Sequence, residues 1–149
     1  MRGRQFAAFL STGSGFVVLG GLVAAVTEPL HLSLGSWLAA YLVLVCGAAQ
    51  CAIGAVQDKL VTVPVSPGMF TVEFVVWNAA NLAVIAGTLL GLSVLVDLGG
   101  AALLFALVLA LWITRRARRG LAVWAYRASI AVMLVSIPVG LTLADLRAV

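Results

Sequence analysis

Five membrane-crossing helices in one small bundle are the architecture this sequence predicts, and three observations predict it. Of 149 residues, 64% are hydrophobic and only 9% are charged, with a mean hydropathy of +1.20. Soluble domains carry about 25% charged residues, so this is the composition of a chain dissolved mainly in lipid. Apolar runs long enough to cross a bilayer recur five times between short polar breaks. The basic residues collect in alternate breaks, as the positive-inside rule requires. The chain is therefore read as an all-α membrane protein, a five-transmembrane-helix bundle forming one domain over residues 1–149. It leaves no room for an appended soluble domain and shows no low-complexity tail, no Gly/Ser linker and no helical repeat of solenoid length.

Arg2 and Arg4 precede the first span, at about residues 6–26. A basic start and an apolar run also describe a signal peptide. A run of about 21 residues exceeds the usual signal core of about 7–15, so the segment is read as a retained helix. Ser11-Thr12-Gly13-Ser14-Gly15, with Gly20 and Gly21, gives it a small-residue surface suited to close helix contact. Thr27-Glu28-Pro29-Leu30-His31 makes a turn. The second span covers about residues 32–56, where Gly47, Gln50, Gly54 and Gln57 share a face at helical spacing. Asp58-Lys59 and the proline-marked stretch 61–69 form the next loop, in which Ser66 can cap the third helix with Pro67 at its first position.

The third span, about residues 69–95, is the one around which the others are organised. At about 100° per residue, Glu73, Trp77, Ala80, Asn81, Val84, Gly87, Thr88 and Gly91 fall on one stripe. Val75, Ala79, Leu82, Ala86 and Leu89 make a wholly apolar opposite side. A membrane helix with one small and polar face packs that face against protein. Asp97 is a candidate N-cap for the fourth span, about residues 98–114, whose interior has no polar side chain and reads as a lipid-facing wall. Arg115, Arg116, Arg118 and Arg119 follow. The last span, about residues 121–143, holds Arg127 in its first third, and Pro138 with Ser136 and Gly140 predicts a kink.

Five spans put Arg2, Arg4, Lys59, Arg115, Arg116, Arg118 and Arg119 on one side. Glu28, His31, Asp97, Asp145 and the single cation Arg147 fall on the other. That asymmetry places the N-terminus in the cytoplasm and the C-terminus outside a cell membrane. The net charge of +4 is thus explained by topology and not by nucleic acid. The run Arg115-Arg116-Ala117-Arg118-Arg119 reads as a stop-transfer signal in contact with anionic lipid.

The residues able to carry chemistry are few. Glu73 enters its helix by about 6 Å and Arg127 by roughly 9–10 Å from the same side. Gln50 and the Ser11–Gly15 segment reach comparable depth. An ionised group in hydrocarbon costs several kcal/mol unless paired or hydrated. A Glu73–Arg127 pair is therefore expected, with Gln50 and Asn78 or Asn81 supplying hydrogen bonds and Trp77 one turn from Glu73. Such a cluster either fixes helix register or lines a polar cavity that binds or conducts something. His31, three residues after Glu28, is the lone histidine and a candidate outer-face ligand. One histidine with scattered carboxylates falls short of a zinc site, so no metal centre is expected. Trp37, Trp112 and Trp124 lie near span ends, where indoles anchor at headgroups. Tyr126, Ser129, Met133 and Ser136 make a stripe on the last helix that reads as packing. Cys46 and Cys51 diverge by about 140° on one helix, too far for a mutual disulfide. No phosphate loop, Ser/His/Asp set or HExxH motif is found, so no catalytic residues are assigned.

The stretch His31-Leu32-Ser33-Leu34-Gly35-Ser36-Trp37, the Gly47 helix after it, and Trp77-Asn78-Ala79-Ala80-Asn81-Leu82 with Gly87 resemble the second and third helices of heme-copper oxidase subunit I relatives. The resemblance covers about residues 31–91. It implies a heme, with His31 at the position of an axial ligand. This chain has no second histidine, so a bis-histidine heme within one monomer is excluded. Five helices in this length are also similar in size to the tryptophan-rich sensory family, whose proline and tryptophan motifs are missing here. Three functions are carried forward. The first is an accessory or assembly subunit of a larger membrane complex. The second is a small-solute or ion transporter, as a homo-oligomer, using Glu73, Asn81 and Gln50. The third is a heme- or quinone-binding redox protein using His31 and Trp77.

Overall fold

A computed structural model describes residues 2–62, 65–117 and 120–148. Five long helices dominate it: α1 (Arg2–Thr27), α2 (Gly35–Lys59), α3 (Pro67–Leu90), α4 (Ser93–Ile113) and α5 (Leu121–Ala148). Each contains a stretch long and apolar enough to cross a membrane. Among the described residues there is no β-strand beyond one isolated bridge, Val61 to Ala117. The helices group as two compact units, residues 1–59 and 60–149.

In the first unit α1 packs along α2. The two backbones approach at paired small residues: a β-carbon at Gly13 would lie 2.9 Å from the Gly47 carbonyl oxygen, and one at Gly47 would lie 3.0 Å from that of Gly13. Higher along the pair, a β-carbon at Gly20 would meet the Ala39 oxygen at 2.9 Å. Without water to drive association, such close approach maximises dispersion contact between membrane helices. The middle of α2, Leu42–Ala49, winds as a π-helix, one residue wider per turn than the α-helix on either side.

The second unit is an α3–α4 hairpin with α5 laid against α4. Ser66 accepts from the Met69 amide at 3.3 Å and Pro67 occupies the first turn, as the sequence suggests. The buried stripe of α3 is Glu73, Trp77, Ala80, Asn81, Val84 and Gly87, whereas Val75, Leu82 and Leu89 are exposed. Helical periodicity therefore predicted this inward face, except at its end, where Thr88 is half-buried and Gly91 is exposed beyond the helix.

Two expectations fail here. The third span ends at Leu90, not near Leu95, and the fourth begins at Ser93. Gly91 takes the left-handed conformation (φ 67°) that stops the helix, and Asp97 lies exposed inside α4 instead of capping it. The largely apolar stretch Leu90–Val96, broken only by Gly91 and Ser93, hid this turn. Nor is α4 a lipid-facing wall. It touches both α3 and α5, burying Gly99, Gly100, Leu103, Ala106, Leu107, Ala110 and Ile113. Its inward face is marked by small residues, not polar ones, and Leu98, Phe105, Val108 and Trp112 face outward.

The α1–α2 and α3–α4 hairpins are two versions of one motif. α1 ends with His31 at φ 49°, its amide donating to the Glu28 carbonyl at 3.1 Å and the Leu32 amide to Thr27 at 3.0 Å. These are the two hydrogen bonds of a Schellman cap. Sixty residues on, Gly91 donates to Thr88 at 3.4 Å and Leu92 to Gly87 at 2.8 Å. The close approach of Gly20 on α1 to the Ala39 oxygen on α2 has a counterpart with the glycine on the other helix of the hairpin: Gly99 on α4 against the Ala80 oxygen on α3, also at 2.9 Å from the β-carbon position. Sequence likeness between the copies is concentrated in Leu30-His31-Leu32-Ser33 and Leu90-Gly91-Leu92-Ser93. The repeat is one hairpin long, and its faces differ enough in residue type to conceal it.

Candidate polar site in the second unit

The interior of the second unit holds Glu73 and Trp77, each 1% exposed, with Asn81 at 2% on the next turn of α3. They recur every fourth residue, which keeps them on one side of the helix. Asn81 donates through Nδ2 to the Trp77 carbonyl at 2.8 Å, and Asn78 does the same to Phe74 at 2.8 Å. In hydrocarbon an amide lowers its energy by bonding the carbonyl one turn back, which is the nearest acceptor. Asn78 is half-buried, at the flank of the stripe.

Tyr126 on α5 joins this set. It is buried, and the Glu73 carboxylate acts electrostatically on its hydroxyl. α3 and α5 both run antiparallel to α4, so their first turns lie at the same end of the unit. Glu73 is the seventh residue of α3 and Tyr126 the sixth of α5, a depth of about 8–9 Å for each at 1.5 Å per residue. Trp77 is one turn deeper. The Trp77 Nε1 and the Tyr126 hydroxyl are both buried without a hydrogen-bond partner. Helical spacing in the sequence puts Tyr126 in one stripe with Ser129, Met133 and Ser136. The buried line is instead Val123, Tyr126 and Ile130, with Ser129 and Ser136 exposed and bonded to the Ala125 and Val132 carbonyls. The signal that could have found Tyr126 was its depth, equal to that of Glu73.

Arg127 has a partner that the sequence does not suggest. Its Nη2 donates to the Thr114 carbonyl at 2.6 Å, where α4 ends in a single 3₁₀ turn, Thr114–Arg116. Carbonyls at a helix C-terminus are unsatisfied and carry partial negative charge, so a guanidinium in reach is drawn to them.

Gln50 belongs to the first unit, directly after the π-helical segment. It is fully buried, and neither its Nε2 nor its Oε1 has a hydrogen-bond partner. His31 and Glu28 are exposed in the α1–α2 turn, where the His31 backbone serves as the helix cap. Among the described residues, no three His, Cys, Asp or Glu side chains gather as a metal site would require. Cys46 and Cys51 are free thiols. Trp112 and Trp124 are exposed, and Trp37 stacks on Tyr41 with centroids 5.3 Å apart. Arg115 is exposed; Arg118 and Arg119, and the side chains of Arg2, Arg4, Arg116, Asp145 and Arg147, lie outside the described residues. No protein-family model, curated protein or solved structure matches this chain.

Proposed function

We propose that the chain is a multi-pass protein of the cell membrane, N-terminus cytoplasmic and C-terminus outside, that takes a small polar solute or ion into its helical interior. The observation that carries this reading is the unused hydrogen-bonding capacity at Trp77 and Tyr126 inside the second unit. Each buried polar group left unsatisfied costs about 1–3 kcal/mol, and intramembrane polar residues are retained chiefly where they meet a substrate or ion. The orientation rests on the loop cations. Arg115, Arg116, Arg118 and Arg119 would hold anionic headgroups of the cytoplasmic leaflet.

The test is flux in proteoliposomes. Purified protein reconstituted with a pH- or cation-sensitive dye inside should pass protons or a monovalent cation faster than empty vesicles, and Glu73→Gln should reduce that flux at least tenfold. Wild-type flux equal to that of empty vesicles, across protons, sodium, potassium and small polyols, would end the transport reading.

A second reading, an accessory or assembly subunit, is favoured by the outer flank of α5. Leu121, Trp124, Val132 and Val135 are all more than half exposed there, an apolar surface that a neighbouring membrane subunit could cover in place of lipid. Co-purification of a stoichiometric membrane partner in mild detergent, lost when Trp124 and Val132 are both changed to serine, would favour it.

A further inference from the structure

We propose that Trp77 and Tyr126 together hold one small hydroxylic ligand, water or the hydroxyl of a small solute, beside the Glu73 carboxylate. This rests on reading the interior of the second unit as a binding site, and it names the chemistry of the occupant. An indole N–H can only donate, and a phenol O–H donates as readily as it accepts. Both are buried and unpartnered, at adjoining levels of the same end of the unit, with the carboxylate on the turn before Trp77. A ligand meeting both donors must offer oxygen lone pairs, which excludes a bare ammonium. It must also stand beside a carboxylate, which disfavours an anion. A hydroxyl oxygen accepts from the two donors and has a hydrogen to give to Glu73. A water or hydroxyl is held in a protein interior where two to four polar groups converge on it.

Tyr126→Phe removes one oxygen and keeps the ring, so the variant is expected to fold. If the hydroxyl is dry and unpartnered, its removal relieves a buried polar group and raises the thermal midpoint. If it holds the ligand, removal lowers the midpoint. We expect a fall of roughly 2–4 °C for the detergent-solubilised or nanodisc-embedded protein, the shift that about 1 kcal/mol produces in a chain of this size. A midpoint that is unchanged or higher would overturn the proposal. The two sources are separated by exhaustive dialysis. A difference between wild type and Tyr126→Phe that survives dialysis into solute-free buffer identifies water. One that vanishes and returns with added glycerol identifies a solute hydroxyl. Absence of flux with a lowered Tyr126→Phe midpoint would sink the transport reading and leave the bound hydroxyl standing. Flux with an unchanged midpoint would do the reverse.

Discussion

The Arg127 guanidinium reaches back thirteen residues to the Thr114 carbonyl at 2.6 Å, clipping the start of α5 to the end of α4. The bond is charge-assisted, which makes it stronger than a neutral bond between side chains, and it shares the Thr114 carbonyl with the Ala117 amide, which donates to it at 3.1 Å. Arg127→Ala is expected to cost about 1–2 kcal/mol of stability, measured as the unfolding midpoint in a detergent or SDS titration. Arg127→Lys should restore a part of it, because an ammonium still donates to a single carbonyl oxygen. Equal losses in the alanine and lysine variants would show that guanidinium packing, and not the bond to Thr114, is what matters.

The turn after α1 supplies a second prediction. His31 occupies the left-handed position of its cap at φ 49°, where Gly91 sits in the equivalent hairpin at φ 67°. A side chain with a β-carbon is strained there by about 1 kcal/mol relative to glycine. His31→Gly should therefore leave the fold intact and stabilise it by up to about 1 kcal/mol, less whatever glycine costs in unfolded-chain entropy. Gly91→Ala should destabilise by a similar amount, and His31→Val by more, since branching at Cβ worsens the clash. If a purified sample bore a Soret band lost with His31→Gly, the cap would not be this residue's main role.

Much of this fold could be read from the sequence, and the failures share a physical cause. The stripe of α3 was legible because Glu73 and Asn81 are polar, and polarity at helical spacing in a membrane segment signals an inward face. The same rule misread α4, whose inward side is Gly99, Ala106 and Ala110. In lipid, size and not polarity selects which face packs, and alanine among leucines gives little contrast. The end of α3 was missed for a related reason: Gly91 lies between Leu90 and Leu92, so hydropathy shows no break where the backbone turns. Depth pointed from Glu73 to Arg127 on α5 and passed over Tyr126, which lies at the same level of that helix. Charge complementarity favours the arginine, and the open carbonyls of a helix end cannot be seen before that end is known. Gln50 was recognised as polar and inward, but the π-helical turns before it leave no trace in residue type.

The glycines give the sharpest contrast between neighbours of the same kind. A β-carbon at Gly99 would lie 2.9 Å from both the Ala80 carbonyl oxygen and the Val84 amide nitrogen. Both are backbone atoms of α3, so neither can rotate aside, and relief requires the α3–α4 hairpin to spread. Gly15, on α1, has nothing within 4 Å of the same position. Gly99→Ala is expected to destabilise by about 1–3 kcal/mol, the cost of overpacking a filled contact. Gly15→Ala should gain several tenths of a kcal/mol, because alanine is the better helix former where space is open. The pair is measured side by side as unfolding midpoints in one detergent. Similar losses at both sites would mean that helix propensity in lipid, and not the approach of α4 to Ala80, sets the result. A loss confined to Gly99 identifies the crossing point that the first hairpin builds at Gly20 and Ala39, and predicts that Gly20→Ala falls with it.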